Sequence, residues 1–173
     1  LSCQARLKLG TLHEKGVRCE RAGMLQERGY CQSACTGVKG AMVVRNFEHG
    51  DADQIVAILK LNNQYGFPEV DGPEAMMRVR ACNAAVFLVF EMDSKVVGVI
   101  RGNYDGSRAM IHQLSVHPAY QRRGIGRALV EQIVRKFKEM GAPTVSATVT
   151  DRSFPFFQKA GFRKIDVFLV GNW

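Results

Sequence analysis

The chain has little of several things that would otherwise define its class. One tryptophan, five prolines and no low-complexity tract leave no segment that reads as an extended linker, and no internal repeat is visible. Of five cysteines, Cys3, Cys19, Cys31 and Cys35 fall in the first 35 residues and only Cys82 lies beyond. An odd total spread this way argues against a disulfide framework. Cys31 and Cys35 with Cys19 and His13 are the one grouping of metal-ligand type, but their spacing matches no common zinc module, so no metal is expected. No apolar run approaches the roughly 20 residues of a membrane span. The first residues lack the basic-then-apolar layout of a secretory leader. The expectation is a cytoplasmic protein that does not enter a membrane.

Acidic residues are also in short supply. Sixteen Asp and Glu stand against 24 Lys and Arg, a net charge of +8. Residues 1–41 hold seven of the basic residues and three of the acids, so they carry half of that excess. They also hold six glycines and show no sustained apolar period. They read as a poorly ordered or non-native extension, and residues 42–173 as a single domain. Within that domain Arg122, Arg123 and Arg127 supply much of the positive charge. A local cluster of this kind suits a phosphate site better than a nucleic-acid surface, so nucleic acid is an unlikely partner.

Patterning within 42–173 is informative. Met42–Phe47 reads as a strand, and Asp51 or Asp53 as the cap of a helix reaching about Asn63. Residues 64–72 read as a loop, and Pro73 opens a short helix to about Arg80. Ala85–Glu91, Val96–Tyr104 and Ala109–Val116 are strands joined by short turns, the second turn carrying the hairpin signal Asp105-Gly106. Ile125, Leu129, Ile133, Phe137 and Met140 form the apolar stripe of a helix over 124–140. Gly141 and Pro143 end it. Thr144–Val149 is a β-branched strand, parallel to 109–116 if the helix is a crossover. A short helix over 154–160 and a strand over 162–170 complete the chain. The fold class is α/β (α+β): a mixed, mostly antiparallel sheet with helices on both faces.

The chemistry concentrates in Gln121-Arg122-Arg123-Gly124-Ile125-Gly126, between an apolar strand and the long helix. The first turn of a helix leaves backbone N–H groups unpaired, and the helix dipole adds positive charge there. Glycines admit a phosphate closely and arginines add charge. The turn is not a Walker loop, which needs four residues between its glycines followed by Lys-Ser/Thr. Nor is it the dinucleotide pattern, because Arg127 and Leu129 stand where later glycines would fall.

The stretch LSVHPAYQRRGIGRALVEQIV resembles the signature of the GNAT superfamily of acyl-CoA-dependent N-acetyltransferases. Phe156-Phe157-Gln158-Lys159-Ala160-Gly161-Phe162 is similar to its second signature, and the resemblance covers about residues 42–168. It implies that one parallel strand pair splays apart to bind acetyl-CoA as co-substrate. By that resemblance the backbone of Leu114, Ser115 and Val116 binds the pantetheine arm. The turn Arg122, Arg123, Gly124, Ile125, Gly126 and Arg127 cradles the pyrophosphate, and Phe157 lines the pantetheine wall.

The implied reaction moves an acetyl group to a primary amine, of a small molecule or a protein, by direct attack. An alkyl amine with a pKa near 10 must lose a proton first, so a base is expected. His112, on the central strand, is the candidate, and Glu69, Asp71 and Asp105 are loop carboxylates that could line the acceptor side. Many family members place a tyrosine four residues before the Gly of the Gly-Phe signature, where it protonates the departing thiolate. This chain has Phe157 there. Tyr65, Tyr104 or a water is then the alternative acid, with Tyr104 the candidate, or the thiolate leaves unaided. A homodimer is left open. Two other classes are a non-catalytic acyl-CoA-binding regulatory module and a nucleic-acid binder, whose DNA affinity would fall steeply with salt and resist competition by CoA.

Overall fold

Val86, Leu88 and Phe90 are buried against one neighbour set, and Phe87 and Val89, between them in sequence, against another. A strand apolar on both sides needs cover on both faces of its sheet. The computed structural model, which describes residues 42–164, provides it. The strands are β1 (Met42–Asn46), β2 (Ala85–Met92), β3 (Lys95–Tyr104), β4 (Ala109–Val116) and β5 (Val145–Ala147). They lie side by side in that order. The first four pair antiparallel, and β4 pairs parallel with β5. The fold is the expected mixed, mostly antiparallel sheet with one parallel pair.

Helix α4 (Ile125–Glu139) covers one face. Its residues Ile125, Leu129, Val130, Ile133 and Phe137 are buried among Val86, Leu88, Ile100 and Ile111. Met140 does not continue the stripe: the helix ends at Glu139 and Met140, its cap, is exposed. The short helix α5 (Phe154–Lys159) adds Phe157 to the same core. On the other face, α1 (Ala52–Leu61) buries Ile55, Ile58 and Leu59 against Phe87, Val89 and Val99. Met76 of α3 (Pro73–Ala81) joins them. Each of these fully buried side chains contributes on the order of 2 kcal/mol by leaving water. No helix among the described residues is long and apolar enough to cross a membrane.

Several expectations need adjusting. Residues 64–72 are not all loop, because Pro68–Asp71 forms a helical turn, α2. The strand expected over 144–149 is shorter, spanning Val145–Ala147. The expectations for residues 1–41 and for most of the strand over 162–170 lie outside the described residues.

Where β1 meets α1, Arg45 joins the two. Its guanidinium donates to both Asp51 oxygens, at 2.7 and 2.8 Å, and to Glu91 on the neighbouring strand. Burial pushes the Asp51 carboxyl up, but the Arg45 bonds and the Glu48 N–H more than offset this and hold it below the ordinary carboxylate range. A depressed carboxyl stabilises the fold above its unfolded pKa, and that contribution is lost as pH falls through the folded value. Asp51→Asn is expected to cost about 2 kcal/mol at pH 7. The difference from wild type should shrink in urea titrations carried below pH 4.

Candidate active site

Two irregularities in the sheet create the site. The β3–β4 register shifts so that Arg101 lies opposite Gln113 while Gly102 lies opposite Ile111. His112 is therefore the extra residue of a β-bulge. Because side chains alternate along a strand, the extra residue exchanges the faces. Ala109 and Ile111 bury against the α4 core before the bulge; Leu114 and Val116 take that side after it. Ser115 turns to α1, where its Oγ accepts from Asn62 Nδ2 at 2.8 Å.

The second irregularity is the short parallel ladder. It runs from Ala109–Val145 to Ile111–Ala147 and closes with Thr148 N–H donating to Ile111 O at 2.9 Å. Beyond it, Gln113, Leu114 and Val116 on one side and Val149 and Thr150 on the other line a cleft of about 670 Å³. That volume is within the range of small-molecule sites. His117 N–H donates to Val97 O on β3. By antiparallel alternation the peptide groups of Gln113 and Ser115 also face β3, and those of Leu114 and Val116 face the cleft. Their carbonyls already accept from side-chain amides, Leu114 O from Gln64 and Val116 O from Asn62 and Gln121. What β4 offers to the cleft is its N–H groups.

At its far end the cleft reaches the start of α4. Gly124 is the N-cap, with φ +84°, and no side chain caps the helix. Glycine takes that left-handed conformation without strain. The first turn of α4 carries no acid, whereas those of α1, α2 and α3 each do. Arg127, in that first turn, is ion-paired with Glu131 one turn on, its Nε donating to Oε1 at 2.8 Å, and the unpaired N–H groups of the turn remain for an anion. Arg122, Gly124, Ile125, Gly126 and Arg127 all line the cleft. The Phe156 ring lies over Gly126, 3.3 Å from where a β-carbon would be. Phe157 is buried edge-on between Phe156 and Phe162 and gives the wall no polar atom.

Near the bulge, His112 lines the cleft with its Nε2 against Asn103 Oδ1. With that oxygen accepting, Nε2 carries the proton and Nδ1 the lone pair. Burial, and then the Arg101 cation, lower the His112 pKa below its ordinary value. The imidazole is neutral at pH 7, as a proton acceptor must be.

Three of the expected site residues are not among those lining the cleft. Tyr104 is at the other end of β3, where its hydroxyl donates to Gly106 O at 2.9 Å beside Gly141 O, and it does not line the cleft. The reason is topological: it pairs with Ala109, at the start of β4. Ser115 is buried away from the cleft, with its main chain on β3. Arg123 stacks its guanidinium 5.4 Å over the Tyr120 ring and is not a lining residue. The loop carboxylates do not line the cleft either. Asp71 is buried against Arg101, and Asp105 accepts the N–H groups of Ser107 and Arg108 in its own turn. Gln64, Tyr120, Thr150 and Ser153, which carry no sequence signal, also line the cleft. Among the described residues no group of three or more His, Cys, Asp or Glu could hold a metal ion. Cys3, Cys19, Cys31, Cys35 and His13 lie outside the described residues.

This donor set fits acetyl-CoA. Uncapped N–H groups and two arginines suit a pyrophosphate, strand N–H groups suit an amide-bearing arm, and Phe156 and Phe157 supply an apolar wall.

Comparisons with known proteins agree with the geometry. A protein of Sodalis glossinidius (strain morsitans) named acetyltransferase SG1711 is 31% identical over 138 residues, which span 76% of this chain and 94% of that one. Among solved structures, a transcriptional regulator from Bacillus halodurans C-125 superimposes with a TM-score of 0.68 at 21% identity, covering 77% of this chain and all of that one. The PaiA N-acetyltransferase from Thermoplasma acidophilum in complex with coenzyme A gives a TM-score of 0.62 at 18% identity, over 74% and 93% of the two chains. The family model described as Acetyltransferase (GNAT) family matches residues 53–162, so the chain belongs to the GNAT acetyltransferase family.

Proposed function

We propose that the protein transfers an acetyl group from acetyl-CoA to a primary amine by direct attack. One observation carries the reading: the β4–β5 ladder stops at Ile111, leaving the Leu114 and Val116 N–H groups facing a cleft that runs to the uncapped start of α4. Acetyl-CoA supplies the acetyl group as a thioester. The first turn of α4 with Arg122 and Arg127 holds its pyrophosphate. The strand N–H groups of Leu114 and Val116 hold the arm, and a donor aimed at the carbonyl stabilises negative charge gathering on that oxygen. Neutral His112 takes the amine proton on Nδ1, directly or through a water. Phe157 has no proton to give, so the thiolate leaves unaided, its thiol pKa near 8.5 making this tolerable, or takes a proton from water or a cleft hydroxyl.

A coupled assay tests this: thiol release from acetyl-CoA over a panel of aliphatic amines, lysine peptides and peptides with free N-termini. At least one amine is expected to give saturable turnover, and absence of CoA binding would overturn the reading. Phe157 favours a second reading, a non-catalytic acyl-CoA-binding module. Tight CoA binding with no turnover on any amine would select it.

A further inference from the structure

Past Ile111, β4 has no pairing with β5, and its cleft-facing peptide groups must be satisfied in another way. The end of α1 supplies part of the answer. Asn63 stops that helix in the left-handed conformation, φ +54°, its N–H donating to Lys60 O and the Gln64 N–H donating to Leu59 O at 2.8 Å. This is a Schellman stop with asparagine where glycine is commoner. The side chains before and after Asn63 both reach β4. Asn62 Nδ2 donates to Ser115 Oγ at 2.8 Å and to Val116 O at 2.9 Å, and Gln64 Nε2 donates to Leu114 O at 3.2 Å. From the turn before α4, Gln121 Nε2 donates to Asn62 Oδ1 at 3.1 Å and to Val116 O at 2.9 Å. The Asn62 amide thus uses its oxygen and its nitrogen together. Val116 O, with one donor for each lone pair, is filled.

We infer that Asn62 is a positioning residue for the arm of acetyl-CoA: with Gln64 and Gln121 it clasps the open end of β4 and caps its outward carbonyls, so that the strand presents N–H groups to the ligand. The ligand rests on the acetyl-transfer reading; the clasp rests on the amide contacts alone. Gln64, Leu114, Val116 and Gln121 line the cleft and Asn62 does not, so Asn62 acts through them. A strand edge with N–H and C=O groups both free is a template for another strand. Capping the carbonyls makes it a poorer one, because a ladder needs both. It remains a good edge for a ligand that brings oxygens, as the amide and thioester carbonyls of the arm do. The clasp also fixes the strand before the ligand arrives, which lowers the ordering cost of binding.

Calorimetric titration of the whole protein with two ligands tests this: CoA, and the phosphorylated ADP moiety of CoA, which lacks the arm. Asn62→Leu is expected to weaken CoA binding by about tenfold or more and binding of the arm-less nucleotide by less than about twofold. A residue that only stabilised the fold would move both ligands alike. Gln64→Leu removes one bond from an exposed side chain and leaves Ser115 partnered. It should weaken CoA by about threefold with the same selectivity, which keeps the question answerable if Asn62→Leu folds poorly. Equal losses on the two ligands overturn the inference. So does CoA binding as tight as in the wild type or tighter, because the amides would then occupy carbonyls that the arm itself takes. Amide hydrogen exchange without ligand is the second readout. In Asn62→Leu the Ser115 and His117 N–H groups, which face β3, should exchange about tenfold faster as the end of β4 loosens. Unchanged exchange overturns the clasp. Absence of CoA binding in the wild type would overturn the acetyl-transfer reading, and the exchange measurement would still judge the clasp.

Discussion

Gly126→Glu is expected to weaken CoA binding by at least about 100-fold in calorimetric titration, which is near 2.8 kcal/mol of binding free energy. Gly126 lies in the first turn of α4, where uncapped N–H groups meet the cleft. A carboxylate placed there neutralises the dipole's positive end and repels the phosphates it should attract. Its β-carbon also meets Phe156, at 3.3 and 3.4 Å from two ring atoms, so the ring must yield by a few tenths of an ångström. Fold stability should change little, because replacing a helical glycine regains roughly 0.5–1 kcal/mol of propensity that offsets the displaced ring. Gly126→Ala separates the two causes. It keeps the crowding and lacks the charge, so it should retain most of the affinity. At Gly124 the balance differs: open space surrounds the β-carbon position, but φ is +84°. Gly124→Glu should therefore lose CoA affinity and also roughly 1–2 kcal/mol of stability. Undiminished CoA affinity in both Glu variants would refute the placement of the pyrophosphate.

The same turn was the most legible part of the chain, because its information is local. An apolar strand, two glycines and a long amphipathic stripe lie within a few residues of one another, and among the described residues all five strands and four of the five α-helices are readable from similar short-range patterns. What could not be read depends on pairing across distance. The bulge at His112 is a mismatch between β3 and β4, and nothing in His112-Gln113-Leu114 alone announces it. It decides the face on which the rest of β4 lies, which is why the Ser115 side chain is found against Asn62. Tyr104 was misplaced for a related reason. Its position in the sequence near Asp105 said nothing of its distance from the splayed end of β4. The turn α2 was hidden because Gly66 and Pro68 read as loop, whereas Asp71 is secured by Arg101, 30 residues away. Asp71 itself reads from the sequence as one of three loop carboxylates that could line the acceptor side. Only the structure reveals the arginine that consumes it.

His112→Gln is expected to lower kcat by about 10²-fold or more, with CoA affinity close to wild type. Glutamine preserves a polar side chain near Asn103 but cannot accept a proton at neutral pH. The bulge places His112 in the cleft apart from the α4 turn proposed for the pyrophosphate, and this predicts the split between rate and CoA binding. The pH profile carries the stronger claim. Burial first and Arg101 second depress the imidazole pKa. A base works only when deprotonated, so activity should be present above the folded pKa and fall as pH drops through it. Depression puts that limb below the ordinary histidine value of about 6.5. The kcat/KM profile of the wild type should therefore stay level through neutral pH and decline only in more acid solution. Arg101→Gln, by removing one cause of the depression, should move the limb to higher pH. His112→Gln should abolish the limb and leave residual activity that rises with the fraction of free amine. A variant with wild-type kcat and an unchanged acid limb would transfer the role of base to a water held elsewhere in the cleft. In that case the bulge would position a strand and not a proton acceptor.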